Sequence, residues 1–199
     1  MAVRRLAEKQ PKSFAFSKEN LEWVKGQVAK YPEGREASAV IPLLWKAQEQ
    51  EGWVTEPAIR VIADLLGMAQ IRVLEVATFY TMFNLEPVGK YLVQLCGTTP
   101  CMLRGSDDVL DACYKKGLKK GHTTPDGLFT LTEVECLGAC VNAPMVQINY
   151  DYYEDLTPEN FEKLLDDFAA GKNPKPGPQI DRQFSAPLGG PTTLKTVGK

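Results

Sequence analysis

Four of the five cysteines form two closely spaced pairs, and these pairs are the part of the sequence best suited to chemistry. Four residues separate Cys96 from Cys101, and three separate Cys136 from Cys140. The thiolate form of cysteine binds soft metals and attacks disulfides. Four convergent thiols could therefore form disulfides, bind zinc or hold an iron–sulfur cluster.

The spacing of the pairs bears on these three uses. Nothing in the sequence indicates an oxidising compartment, which disfavours disulfides. Zinc sites prefer C-x2-C pairs and often include histidine, whereas the single histidine, His122, is remote in sequence from both pairs. A [2Fe–2S] cluster needs two thiolate pairs, one for each iron, and C-x4-C is a spacing found in such sites. The residues favour a cluster, with zinc and redox-active thiols as the open alternatives.

Small residues surround the paired cysteines. Gly97, Thr98 and Thr99 follow the first cysteine, and Gly138 and Ala139 lie within the second pair. Such residues allow backbone N–H groups to approach sulfur closely. These donors would offset the negative charge of four thiolates and help to set a reduction potential.

The remaining candidate groups are interpreted as structural. Cys113 belongs to a predicted helix and is expected to be a buried thiol, and His122 is expected to be an exposed loop residue. The acidic residues show no pair typical of acid–base catalysis, and the glycines form no phosphate-binding motif. We therefore predict no catalytic residue on this chain.

The elements of the second half would position the thiols. Both pairs are placed in loops that follow a predicted strand, so that two strand ends could bring them together. Ser106 is predicted to cap a helix, and a turn at Tyr150–Asp151 is predicted to join two later strands. The order is β-α-β-β-β-α, with strands at 91–95, 129–134, 145–149 and 152–154 and helices that begin at Ser106 and Thr157.

The first half of the sequence is predicted to form a small helical bundle. Apolar residues recur at helical spacing in four segments, which begin near Ser17, Glu36, Thr55 and Ile71. The aromatic run Phe79, Tyr80 and Phe83 at the end of the fourth helix is interpreted as core, with a docking surface as the alternative.

Composition excludes some functions. Lys and Arg number 23 against 25 Asp and Glu, a net charge of −2, which excludes a generally basic nucleic-acid binder. No apolar stretch is long enough to span a membrane, and the N-terminus lacks the apolar region of a secretory signal. Residues 171–199 are rich in proline and glycine and basic, which predicts either a disordered end or an arm that lies along a partner.

Four stretches resemble the 24 kDa subunit family of respiratory NADH:quinone oxidoreductase, complex I. They are V-A-T-F-Y-T-M-F at 76–83, L-C-G-T-T-P-C-M-L-R-G at 95–105, E-C-L-G-A-C-V-N-A-P-M-V-Q-I-N at 135–149 and Y-Y-E-D-L-T-P at 152–158. The resemblance extends over residues 17–170.

The resemblance implies an α+β fold in three parts. A small N-terminal helical bundle (1–85) would precede a thioredoxin-like α/β domain (86–170) and an extended C-terminal tail (171–199). The family holds one [2Fe–2S] cluster, and its four ligands correspond to Cys96, Cys101, Cys136 and Cys140. The thioredoxin-like fold also implies a cis peptide at Ala143–Pro144.

The resemblance also implies partners. The chain would exchange single electrons with FMN in a larger subunit that also binds NADH. Other peripheral-arm subunits of complex I would be further partners. The chain would bind no nucleic acid and would have no membrane span of its own. Such a complex lies on the cytoplasmic side of the bacterial inner membrane, or on the matrix side in mitochondria. An equivalent subunit of an NAD-linked hydrogenase or formate dehydrogenase is the alternative. A zinc-stabilised structural module and a thiol oxidoreductase are the rivals from other classes.

Overall fold

The computed structural model describes residues 4–190 and 193. The chain divides into two compact units, with the boundary between Val88 and Gly89. The three-part division at residues 85 and 170 stays a prediction. No helix among the described residues is long and apolar enough to cross a membrane.

Within residues 4–88, four α-helices and one short 3-10 helix enclose an apolar core. The hydroxyl of Ser17 accepts the N–H of Asn20 and begins α1, while Gly52 and Gly67 adopt left-handed conformations that end α2 and α3. The predicted helices of this half are thus confirmed. Their bounds are α1 Lys18–Val28, the 3-10 helix Glu36–Ala39, α2 Val40–Glu51, α3 Glu56–Leu66 and α4 Gln70–Phe79.

The aromatic residues at the end of α4 lie in different environments. Phe83 is fully buried, but Phe79 is 76% exposed, so its assignment to the core is wrong. The helix ends at Phe79 and Tyr80 is extended, so helical spacing no longer places these rings on one face. The guanidinium of Arg4 donates to the carbonyls of Thr78 and Tyr80, which the helix end leaves without helical partners.

The second unit contains a mixed sheet, which within the described residues has six strands in the order β2-β3-β1-β4-β5-β6. The central strands β1 and β3 are parallel neighbours, and β4 runs antiparallel to β1 on its other side. The alternating apolar residues of β1 and β3 therefore face a buried core. The bounds are β1 Tyr91–Cys96, β2 His122–Thr123, β3 Phe129–Val134, β4 Val146–Ile148, β5 Asp151–Glu154 and β6 Gly177–Pro178.

Two longer helices and two short ones accompany this sheet among the described residues: α6 Ser106–Lys115, α7 Pro158–Ala169, the short α5 Thr99–Leu103 and the 3-10 helix Cys140–Asn142. The capping box of Thr157 and Asn160 begins α7, as its sequence predicts. The prediction that Ser106 caps α6 is wrong, because Gly105 is the N-cap and Ser106 is already the first helical residue. Its φ of 102° lets Gly105 connect α5 directly to α6, a conformation that favours glycine.

The turn between β4 and β5 differs by one residue from its prediction. Ile148 pairs with Asp151, so the turn residues are Asn149 and Tyr150. Asn149 has a φ of 55° and its side-chain oxygen accepts the N–H of Leu92 in β1. Asparagine tolerates this left-handed conformation better than most residues, which places it at the turn.

Candidate metal centre

The first cysteine of each pair is positioned by the parallel strands β1 and β3. Cys96 is the last residue of β1 and lies opposite Val134, the last residue of β3. Cys136 follows two residues after Val134. Because parallel neighbours end at the same edge of a sheet, both pairs begin at one place.

The second cysteine of each pair lies in a helical turn, and the prediction of plain loops is corrected here. Cys101 is within α5, where Pro100 occupies the first turn and its missing N–H costs nothing. Cys140 begins the three-residue 3-10 helix Cys140–Asn142. The Sγ atoms of Cys136 and Cys140 are 3.8 Å apart, close to the separation of about 3.8 Å that two thiolates at about 2.3 Å from a tetrahedral metal would have.

The pKa values of Cys101 and Cys140 are shifted by thiols of both pairs. Burial, then the thiol of Cys96 and, more weakly, that of Cys140 raise the pKa of Cys101 to about 12. The neighbouring thiol of Cys136 raises the pKa of Cys140, with burial and the charge of Cys96 as smaller causes. Each pair therefore interacts internally and also across to the other pair.

The two pairs differ in exposure. Cys96 and Cys101 are 2% and 1% exposed and pack with Ala143 and Met145, whereas Cys136 and Cys140 are exposed. Cys96 and Cys101 are thus anchored in the core beside the sheet, whereas Cys136 and Cys140 face solvent. Ala143, which packs with the buried pair, forms a cis peptide with Pro144, as predicted.

Backbone and hydroxyl donors point at these sulfurs. The N–H of Gly138 donates to Sγ of Cys136 at 3.4 Å, and Thr98 Oγ1 lies 3.3 Å from Sγ of Cys96. Burial by itself raises the pKa of Cys96, but the hydroxyl and N–H of Thr98 and the N–H of Leu137 outweigh it and lower that pKa. Donors of this kind stabilise anionic sulfur.

This donor set fits a binuclear cluster. Among the described residues, no group of three or more His, Cys, Asp or Glu is placed to hold a metal ion. A [2Fe–2S] cluster does not require such a group, because each of its irons takes two protein sulfurs. The two thiol pairs would supply the four sulfur ligands that such a cluster needs, and the N–H of Gly138 is already directed at one of these sulfurs.

Cys113 and His122 belong to neither thiol pair. Cys113 is fully buried within α6, in the apolar core of the sheet, and burial raises its pKa to about 12. His122 is exposed as expected, but it lies in the short edge strand β2, opposite Leu131, rather than in a loop.

A polar network beside Cys140 was not predicted from any sequence pattern. Asn142 is 2% exposed, and its side-chain amide donates to Asp155 and to the carbonyl of Phe184. Arg182 forms an ion pair with Asp155 at 2.8 Å. The one signal that could have drawn attention is that Arg182 is the only arginine of the segment 171–199.

Comparison with known proteins agrees with this geometry. The sequence profile of thioredoxin-like [2Fe–2S] ferredoxins matches residues 24–169. The chain belongs to this family. A ferredoxin of this family has one [2Fe–2S] cluster as its cofactor, so the predicted cofactor and thioredoxin-like fold are confirmed. That the four paired cysteines are its ligands stays a prediction.

Curated relatives of this ferredoxin are subunits of NADH-quinone oxidoreductase. One from Rhizobium meliloti is 61% identical over 201 residues, which cover 98% of this chain and 73% of that protein. Another from Rickettsia felis is 55% identical over 159 residues, which cover 79% of this chain and 95% of that protein. The resemblance to the complex I subunit family is thereby confirmed.

A solved NAD+-reducing [NiFe]-hydrogenase contains a similar fold. The superposition has a TM-score of 0.59 at 17% identity and covers 67% of this ferredoxin. The ferredoxin spans only 23% of that hydrogenase chain. The likeness concerns the fold alone.

Proposed function

We propose that this ferredoxin is the electron-transfer subunit of an NADH-quinone oxidoreductase, with Cys96, Cys101, Cys136 and Cys140 as the ligands of its cluster. The observation that carries the proposal is the register of β1 and β3: Cys96 ends β1 opposite Val134, and Cys136 follows two residues later, so both thiol pairs begin at one edge of the sheet. The relatives at 55% and 61% identity supply the parent enzyme.

The chain's own residues hold and tune the site. When bound, the cluster would accept and release one electron at a time. The N–H groups of Thr98, Leu137 and Gly138 offset the negative charge on sulfur. We expect no side chain to act as acid, base or nucleophile, so the chain would contribute to catalysis through the position and potential of the cluster.

The proposed electron donor is reduced FMN in a partner subunit that also binds NADH. The exposed pair, Cys136 and Cys140, would be the side nearer the partner, because electrons pass most readily where little protein intervenes. Val141, next to Cys140, is 66% exposed and supplies apolar surface there. In a bacterium the subunit would lie in the peripheral part of the complex, on the cytoplasmic side of the inner membrane.

The cluster is tested on protein purified without oxygen. We expect a red-brown protein that is EPR-silent as isolated and shows a rhombic S = 1/2 signal after reduction with dithionite. Serine replacements of each paired cysteine should abolish or strongly change that signal. A colourless protein with stoichiometric zinc, or four serine variants with unchanged spectra, would contradict the assignment.

The electron-transfer role needs a separate test. The ferredoxin is mixed anaerobically with NADH, with and without the flavin-binding subunit, and the S = 1/2 signal is recorded over a titration of NADH. We expect cluster reduction only when the flavin-binding subunit is present. Reduction of the cluster by NADH alone would contradict the proposed role. So would the absence of cluster reduction by NADH at every ratio of the two subunits, if dithionite reduces the same cluster.

A further inference from the structure

The C-terminal segment 174–190 of the second unit, which we name the tail segment, packs against β5. The hydroxyl of Tyr153 donates to the carbonyl of Pro174 at 3.3 Å, and β6 pairs in parallel with β5. The N–H of Gln179 donates to the carbonyl of Glu154 at 2.9 Å. These contacts bring the following residues next to the turn that carries Cys140.

Arg182 is the centre of the contacts that follow. Its Nη1 donates to Asp155 Oδ1 at 2.8 Å and to the carbonyl of Val141 at 3.2 Å, and its Nε donates to the carbonyl of Ala186 at 2.7 Å. The side chains of Arg182 and Asp155 are only 9% and 8% exposed. Such a pair is screened little by solvent, and each charge depends on the other for compensation.

Asp155 connects this pair to the turn. Its N–H donates to the carbonyl of Asn142 at 2.8 Å, and its Oδ2 accepts the amide of Asn142 at 3.1 Å. The same amide donates to the carbonyl of Phe184 in the tail segment at 2.9 Å. Val141 and Asn142, the two residues after Cys140, are thus each bonded to the tail segment.

The turn itself has little internal support. It is a 3-10 helix of three residues, and such short helices have poor hydrogen-bond geometry. Cys140 is exposed, whereas Cys96 and Cys101 are held in the core. The position of the Cys140 thiol therefore depends on contacts from outside the turn.

We propose that Arg182 is a positioning residue for the cluster. Through Asp155 and the carbonyl of Val141, it fixes the turn Cys140–Asn142 and thereby the geometry of the exposed thiol pair. The tail segment in this way controls how firmly the cluster is retained and at what potential it is reduced. The inference rests on the proposed ligand set.

The test compares Arg182→Gln with Lys172→Gln in the full chain. Lys172 is a control for the loss of one paired cation ten residues earlier in the chain, because its partner, Asp167, is in α7 and not in the turn. After reconstitution with iron and sulfide, we measure bleaching by an iron chelator, the g-values of the reduced cluster and its midpoint potential. We expect Arg182→Gln to bleach about tenfold faster or more, the usual effect of losing a contact that orients a metal ligand, with changed g-values and potential. Lys172→Gln should match the wild type.

A milder variant covers the case in which Arg182→Gln does not fold. Arg182→Lys keeps a positive charge beside Asp155. One ammonium group, however, cannot replace a planar guanidinium that donates to Asp155, Val141 and Ala186 together. We expect intermediate bleaching and a partial return of the g-values. If both Arg182 variants keep the wild-type g-values, potential and bleaching rate, even with a lower Tm, the role is merely structural and the proposal is overturned.

Failure of the ligand assignment would be recognised separately. If Cys140→Ser retains an unchanged cluster, or if the wild type acquires none, the proposed ligand set fails and this inference fails with it. If Cys140→Ser loses the signal while the Arg182 variants keep it unchanged, only the inference about the tail segment fails.

Discussion

Replacement of Cys113 by alanine separates a structural thiol from the four proposed ligands. Cys113 is fully buried on α6, among the apolar residues of the sheet and α7. Its sulfur is the only group that the substitution removes. We expect the variant to lose stability and to keep its cluster.

The cost of the substitution follows from burial. One sulfur leaves a small cavity lined by apolar groups that relax only in part, which corresponds to about 1–2 kcal/mol of unfolding free energy. For a unit of this size, that loss lowers Tm by about 4–8 °C. The iron content, visible spectrum and EPR signal should equal those of the wild type, whereas Cys101→Ser should lose them.

Thiol labelling supplies an independent readout. Burial raises the pKa of Cys113 to about 12, so at pH 8 only about one molecule in 10,000 carries its thiolate, the reactive form. In the cluster-free protein, iodoacetamide should modify exposed Cys136 and Cys140 first and Cys113 only on unfolding. Loss of the cluster in Cys113→Ala, or rapid labelling of Cys113 in the folded chain, would refute the assignment.

Three further predictions concern stability. Gly89→Ala should cost about 2 kcal/mol, since its Cβ would lie 2.9 Å from the backbone of Phe129. Gly97→Ala should cost less than about 1 kcal/mol, because its Cβ would meet only the side chain of Glu133, whose ion pair with Lys120 is at the surface and weak. Urea titration compares the two variants. Thr157→Ala, which removes the capping box of α7, should lower the unfolding free energy by about 1 kcal/mol in the same assay. Burial, and then the charge of Asp155, raises the pKa of Glu154. The wild type therefore loses stability as pH rises through that pKa, and calorimetry should show Glu154→Gln raising Tm at pH 7 and not below about pH 4.

Most helices and strands can be predicted from the sequence, because at those segments the local signals agree with the packing. Thr55, Pro57 and Gly67 mark the ends of α3, and its apolar stripe is buried as its spacing predicts. The same holds for α7, where Thr157 begins the helix and Phe161 is fully buried. Both cysteine pairs follow strands for a reason that is also local, since each strand is a short β-rich run with a turn after it.

The errors arise where a neighbouring element decides the conformation. Ser106 has the sequence of an N-cap, but Gly105 takes that position because α5 ends immediately before it. Arg182 and Asp155 are 27 residues apart, and neither has a local pattern that reveals a partner. Hydrogen bonds between residues distant in sequence depend on the whole chain path, which single-sequence patterns do not contain.

The unequal burial of the two thiol pairs gives the site two requirements that one fold must meet. Cys96 is fixed by a central strand and Cys101 by a turn that packs against it, so this pair needs no outside support. Exposure of Cys136 and Cys140 would favour the proposed electron exchange, yet it removes the packing that would hold Cys140. The buried ion pair of Arg182 and Asp155 resolves this conflict, because it anchors the backbone after Cys140 without covering the sulfur. A segment that looks expendable by composition is therefore bonded to the turn that carries Cys140.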